Sequence, residues 1–275
     1  MIVEKLDKVS LPNTKDCILD YENNWLTIWF NRAEKRNALS ENLIDELNLV
    51  LSICKKIHSL RGIIFRGKGN TFCAGADLKW MQTIALDKKI SSKMTIEMSK
   101  KFGDIFNKIS TMRPITISAV EGNSMAGGIG IMCATDFIIT MANAKYALTE
   151  TKIGLTPAQI APYIINKIGF QQAKKLMLLA EKFDGQKAFD MNMADYICYT
   201  KEELNSCVHD IVQKVQLCSP NAIAITKKLL KSYVKINTTK ASKMFSESML
   251  HEEGREGFTS FFQKRKPYWT TEESK

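Results

Sequence analysis

The chain has 275 residues, 45% of them hydrophobic and 25% charged, which excludes a disordered or fibrous protein and leaves room for one large domain or two small ones. Lys plus Arg number 39 against 29 Asp plus Glu, a formal charge of +10, which favours anionic partners: a polyanion, a phosphorylated small molecule or an anionic membrane. Seven scattered cysteines with no Cys-x-x-Cys pair argue against a disulfide framework or a zinc knuckle, so a reducing, cytoplasmic compartment and no metal are expected.

Residues 1–24 mix charge with apolar side chains and contain no apolar stretch of signal-peptide length. No later run reaches the roughly 18 apolar residues that span a bilayer, and a soluble protein with no membrane partner is expected. Trp25 to Phe30 is rich in aromatic and branched residues and predicts a strand ending at Asn31-Arg32. Ser40 is a candidate N-cap, and Leu43, Ile44, Leu47, Leu51 and Cys54 recur at helical spacing, predicting a helix to about Lys56. Gly62 to Arg66 reads as a buried strand closed by Gly67-Lys68-Gly69-Asn70. Strand, helix, strand in succession argues for an α/β protein.

Ala85 to Ile109 is charged and Met-rich and predicts a solvated amphipathic helix. Ile115 to Val120 and Phe137 to Met141 predict strands, and between them Met125 to Ala134 holds small residues that permit close backbone approach, as in a short packed helix. Gln159 to about Tyr233 shows helical periodicity broken at Asp184-Gly185 and Ser219-Pro220, and a last helix is predicted near Phe245 to Lys264. With no repeat or linker, the chain reads as one α/β core carrying a helical C-terminal region.

Three segments stand out: Phe72-Cys73-Ala74-Gly75-Ala76-Asp77-Leu78-Lys79; Ala119-Val120-Glu121-Gly122 with Ala126-Gly127-Gly128; and Leu148-Thr149-Glu150 before Gly154-Leu155-Thr156-Pro157. In motif, order and spacing they resemble the enoyl-CoA hydratase/isomerase (crotonase) superfamily. Asn31-Arg32, Asn37-Ala38-Leu39-Ser40 and Phe261-Phe262-Gln263-Lys264-Arg265-Lys266-Pro267 extend the likeness over nearly the whole chain after Asn24. The resemblance implies a crotonase-like ββα spiral core over residues 1–200 and a helical trimerisation region over residues 201–275. It also implies an acyl-CoA thioester substrate, coenzyme A as part of that substrate with no separate cofactor, and a homotrimer or a dimer of trimers.

Chemistry on an acyl thioester passes through an enolate, whose oxygen backbone N–H groups in glycine-rich turns can meet. By resemblance, the N–H groups of Ala76 and Gly127 form the oxyanion hole, with Gly128 opening a helix whose positive end adds to it. Glu150 aligns with the second catalytic glutamate of the family's hydratases. Its apolar neighbours, Tyr146-Ala147-Leu148 and Ile153-Gly154-Leu155, suggest a partly buried carboxyl with a raised pKa. The family's first glutamate is replaced by Gly130. A single glutamate is also expected of enoyl-CoA isomerases and of hydratases acting on branched glutaconyl-type thioesters. The sequence around Gly130 and Pro157 looks most like the latter, the hydratases of isohexenylglutaconyl-CoA and 3-methylglutaconyl-CoA, which would place it in terpene or leucine catabolism.

The basic residues Arg32, Lys35, Arg36, Lys264, Arg265 and Lys266 are well typed for the phosphates of coenzyme A. The resemblance places the first three in the CoA groove, together with Ala38, Ala74, Asp77, Leu78 and Lys79, and puts the last three on a C-terminal helix that can reach a neighbouring subunit's ligand, with Phe261 on that helix at an interface or core position that can also contact ligand. Other classes fit less well. Gly122-Asn123-Ser124-Met125-Ala126 lacks the last glycine of a nucleophile elbow, and the phosphate-binding motif Gly-x-x-x-x-Gly-Lys-Ser/Thr is absent, Gly67-Lys68-Gly69 signalling only a turn. The positive charge is dispersed with no aromatic-interleaved platform, so nucleic acid is not expected as a partner. The expected activity is hydration of a branched 2-enoyl-CoA; a Δ3,Δ2-enoyl-CoA isomerase and a catalytically silent CoA- or RNA-binding protein are the alternatives.

Overall fold

The computed structural model describes residues 11–86, 89, 91–231, 239, 245–247, 249 and 251–270, without the side chains of residues 85, 86, 261 and 262. From the N-terminus, β1 (Cys17–Glu22) and β2 (Trp25–Phe30) lead through α1 (Glu41–Cys54) to β3 (Gly62–Gly67), β4 (Thr71–Cys73), α2 (Leu78–Leu86) and α3 (Ser92–Ser110). Then follow β5 (Ile115–Val120), β6 (Asn123–Met125), α4 (Gly127–Ala134), β7 (Phe137–Met141), β8 (Lys145–Ala147) and α5 (Ala161–Leu179). The chain continues with β9 (Lys182–Asp184), α6 (Gly185–Asp190), β10 (Tyr196–Cys198), α7 (Lys201–Gln216), α8 (Pro220–Lys231) and α9 (Glu252–Phe262).

The strands form two sheets, in the orders β1-β2-β3-β5-β7-β10 and β4-β6-β8-β9. The large sheet is parallel from β2 to β10, with β1 antiparallel at its edge; in the small sheet only β9 runs antiparallel. The pairs β3–β4, β5–β6 and β7–β8 each step from the large sheet to the small one and then into a helix. This is the expected ββα spiral, three units deep. Strands covered on both faces read as continuous apolar runs, and Ile28, Phe30, Ile63, Phe65, Ile117, Ala119 and Ile139 are fully buried.

Ser40 caps α1 as predicted, its Oγ accepting from Leu43 N at 3.2 Å. The single helix predicted over Ala85–Ile109 is instead two. Asp77 Oδ1 accepts from the N–H of Lys79 at 3.2 Å and starts α2, and Ser91 Oγ accepts from Met94 N at 3.3 Å and starts α3 afresh. The stretch predicted as helical from Gln159 to Tyr233 also contains β9 and β10, three-residue strands too short to show a period. Of the last predicted helix, Glu252–Phe262 and residues 245–247 are helical; the other positions between 238 and 251 lie outside the described residues, apart from residues 239, 249 and 251.

Helix α7 packs on β5, β7 and β10. Arg61, just before β3, donates to the carbonyls of Val215 at 2.7 Å, Cys218 at 2.8 Å and Trp269 at 3.1 Å, tying the C-terminal helices to the sheet. Among the described residues no helix is long and apolar enough to cross a membrane.

Candidate active site

The turn from β4 into α2 is held from behind by Leu39. Leu39 N donates to Gly75 O at 2.8 Å and Asp77 N to Leu39 O at 3.0 Å, making one parallel bridge between Leu39 and Ala76. Alternate N–H groups of an extended segment point to opposite sides, so Ala76 N–H turns away from Leu39. The residues around Leu39 are themselves clamped by Asn37, which is fully buried. Its Oδ1 accepts from Arg32 N at 2.9 Å, and its Nδ2 donates to Lys68 O at 2.9 Å and Thr71 O at 2.6 Å.

A second turn, from β6 into α4, comes up against the first. Ala126 has φ 47° and ψ −117°, a region that non-glycine residues rarely occupy and that stores strain. Ala126 N–H donates to Ala147 O at 3.0 Å, which holds the strained turn in place. Helix α4 then begins at Gly127 with no side-chain cap, leaving its first N–H groups and the positive end of its dipole exposed to whatever lies in front. Gly75, with φ +85°, lets the two turns meet: a Cβ there would lie 2.9 Å from Ala126 Cβ and 3.4 Å from Gly127 N. Neither Ala76 N–H nor Gly127 N–H donates to an acceptor among the described residues, and both residues line one cavity of about 330 Å³.

Glu150 lines the same cavity. It sits just after β8, at the head of a 3-10 turn, where Leu155 N donates to Glu150 O at 3.0 Å and left-handed Gly154 turns the chain back. Its Oε2 is buried and has no hydrogen-bond partner among the described residues. Burial pushes the carboxyl above the ordinary glutamate range, with a hydrogen bond from its own backbone N–H opposing in part. A half-buried carboxyl with one oxygen unpaired beside convergent N–H donors is equipped to move protons at a developing enolate.

Gly130 lies one turn into α4, and its surroundings are hydrocarbon. A Cβ built there would lie 3.0 Å from both Ile160 Cβ and Phe106 Cε1, and closer still to Ile160 Cγ2. Glu150 is the only ionisable side chain among the described residues that line the cavity; Met81, Met98, Phe102, Phe106 and Ile160 supply apolar wall. Ile160 and Phe106 escaped sequence reasoning because they reach the site from elements distant in the chain.

The structure therefore brings Ala76, Gly127 and Glu150 together, with Ala74 and Leu78 on the cavity wall and Gly128 buried beneath it. It disposes the residues expected to bind coenzyme A in two ways. Lys35, Arg36, Lys79 and Lys264 are exposed, Arg36 lying against the wall through Ala74 N–H, which donates to Arg36 O at 3.0 Å. Arg32 is instead engaged within the chain: it pairs with Asp77 at 3.2 Å and Asp16 at 3.4 Å and donates to Ala38 O, so that Arg32, Asp77 and Ala38 brace the two loops against each other. Phe261 lies in the last turn of α9, and its side chain lies outside the described residues.

Residues 20–272 match the enoyl-CoA hydratase/isomerase family. Enoyl-CoA hydratase ACTT6 of Alternaria alternata is 28% identical over 202 residues, which cover 74% of this chain but only 65% of that relative. The mitochondrial methylglutaconyl-CoA hydratase of Mus musculus is 26% identical over 264 residues, 92% of this chain and 82% of the relative. Among solved structures, Pseudomonas aeruginosa AtuE superposes with a TM-score of 0.88 and 31% identity over 94% of this chain and 100% of that one.

Proposed function

The chain belongs to the enoyl-CoA hydratase/isomerase family, and from that premise we propose that it adds water to a 2-enoyl-CoA thioester whose acyl group is of the branched glutaconyl type. The observation that carries the hydratase reading is Glu150 Oε2, buried and unpaired in the cavity that Ala76 and Gly127 line. Ionised Glu150 takes a proton from water as its oxygen adds to C3. The electron pair of the double bond moves toward the thioester oxygen, where the N–H groups of Ala76 and Gly127 meet the charge; one such donor contributes roughly 10²- to 10³-fold in rate. The carboxyl, now protonated, returns the proton to C2. Water is divided between C3 and C2, and Glu150 ends as it began.

The glutaconyl-type acyl group is supported by the motif likeness and by the similarity to methylglutaconyl-CoA hydratase. Exposed Lys35, Arg36 and Lys79 are suited to the phosphates of coenzyme A. The exposed Phe170, Leu178 and Leu179 support assembly into a homotrimer or a dimer of trimers, which would bring Lys264 to a neighbour's ligand.

The test is the steady-state rate of hydration of crotonyl-CoA beside 3-methylglutaconyl-CoA, with Glu150→Gln as control. Turnover of the carboxylated thioester that vanishes in the variant supports the reading. If neither is hydrated but a 3-enoyl-CoA becomes a 2-enoyl-CoA, the second reading replaces it: an isomerase in which the same single carboxyl moves a proton from C2 to C4. Binding without turnover over all three thioesters would leave a silent CoA-binding protein.

A further inference from the structure

Four polar uncharged side chains line the cavity without a part in the steps above, Ser99, Thr149, Thr156 and Gln159, and the first and last of them are paired with each other. Gln159 precedes α5, and its Nε2–H donates to Ser99 Oγ on α3 at 3.0 Å; both residues line the cavity that holds Glu150. The pairing depends on Gly103, four residues beyond Ser99 on the same helix. A Cβ there would lie 2.9 Å from Gln159 Cδ and closer still to Oε1, so the bare backbone makes the space that seats the carboxamide. Because Ser99 Oγ accepts from Gln159, its own O–H is left to donate, as is the second N–H of Gln159. Around them the wall is thioether and aromatic, Met98, Phe102 and Phe106, and no Lys, Arg or His lines the cavity among the described residues. Polar groups half-buried on such a wall lose hydration when a substrate fills the cavity, unless the substrate brings them an acceptor.

We propose that the Ser99–Gln159 pair receives the second carboxyl group of the acyl chain and thereby sets a preference for a carboxylated thioester over an uncharged one. This rests on the glutaconyl-type reading above. Two neutral donors on neighbouring elements match the two oxygens of one carboxyl group, and they are what separates this wall from one built for a hydrocarbon tail. Ser99 and Gln159 are positioning residues: they hold the far end of the acyl chain while Glu150 works at C2 and C3.

The experiment compares kcat/KM for 3-methylglutaconyl-CoA and for 3-methylcrotonyl-CoA, which has the same branch without the carboxylate. The wild-type ratio is expected to exceed tenfold. In Ser99→Ala and Gln159→Leu the ratio should fall by roughly 10- to 100-fold, the worth of a hydrogen bond to a charged group, and mainly through KM. Gly103→Ala should lower it as well, since it displaces the carboxamide while leaving both polar groups chemically intact and strengthens the helix. A wild-type preference that survives in all three variants overturns the proposal and leaves the glutaconyl reading standing. A wild-type ratio near one, with crotonyl-CoA turned over normally, overturns the glutaconyl reading and this proposal with it, while the hydratase reading holds.

Discussion

Ile160 stands where a side chain on Gly130 would begin. The Ile160 Cβ and the Phe106 ring edge would each lie 3.0 Å from a Cβ on Gly130, so hydrocarbon occupies the place of a second carboxylate. The vacancy at Gly130 is thus more than a missing side chain: residues from α3 and from the loop before α5 have closed over it.

Gly130→Glu should therefore fail to add an acid and should destabilise the fold. Overpacking alone costs about 1–3 kcal/mol, and an unpaired buried carboxylate adds to it. A urea titration is expected to show the loss, and Gly130→Glu combined with Ile160→Gly should recover part of it, because contacting sites couple. Equal unfolding midpoints for wild type and Gly130→Glu would contradict the packing described here.

Glu150→Gln should lose roughly 10²- to 10⁴-fold in turnover, the usual effect of removing a general acid or base. Its stability should move the other way. The folded-state pKa of Glu150 is raised by burial, so the contribution of this group to stability is full below the unfolded value and is lost as pH rises through the folded one. At neutral pH the variant should melt above the wild type, and the two melting curves should converge in acid. For the wild type, kcat is expected to fall as pH drops through an apparent pKa above the ordinary glutamate range.

Gly75→Ala tests the meeting of the two turns. The new methyl group enters a left-handed residue and would sit 2.9 Å from Ala126 Cβ and 3.0 Å from Met125 O. Strain of about 1–3 kcal/mol is expected, together with separation of Ala76 N–H from Gly127 N–H and a loss of roughly 10²- to 10³-fold in kcat. Thermal unfolding and steady-state rates read the two effects independently.

Asn37→Ala removes a fully buried carboxamide that makes three hydrogen bonds. Leaving buried backbone groups unpaired costs about 1–3 kcal/mol each at most, and φ 53° at this position penalises alanine further. A drop in melting temperature larger than that of Arg32→Ala is expected, since the partners of Arg32 are closer to solvent.

Much of this was readable before any coordinates. Trp25–Phe30, Gly62–Gly67, Ile115–Val120 and Phe137–Met141 announce themselves because strands buried on both faces are uninterrupted apolar runs, and Ser40 announces α1 because its cap is local. The small sheet was silent: three-residue strands such as Asn123–Met125 and Lys145–Ala147 take their identity from pairing partners, which a linear pattern does not contain. The partial burial expected of Glu150 is found, since its neighbours in sequence are also its neighbours in space. The engagement of Arg32 with Asp16 and Asp77 went unread, as did the seating of Gln159 against Ser99, because each depends on residues many positions away.

Ala76 and Gly127 offer the reaction nothing but backbone, and that shapes how the site can be damaged or lost. An alanine scan, which shortens one side chain at a time, would pass over both positions without a signal. The information for this part of the site is stored instead in its neighbours: the left-handed turn at Gly75, the strained φ of Ala126 and the bridge from Leu39. Variation should accordingly be resisted at position 75, so that one of the positions least permissive of change is one that need never touch the substrate.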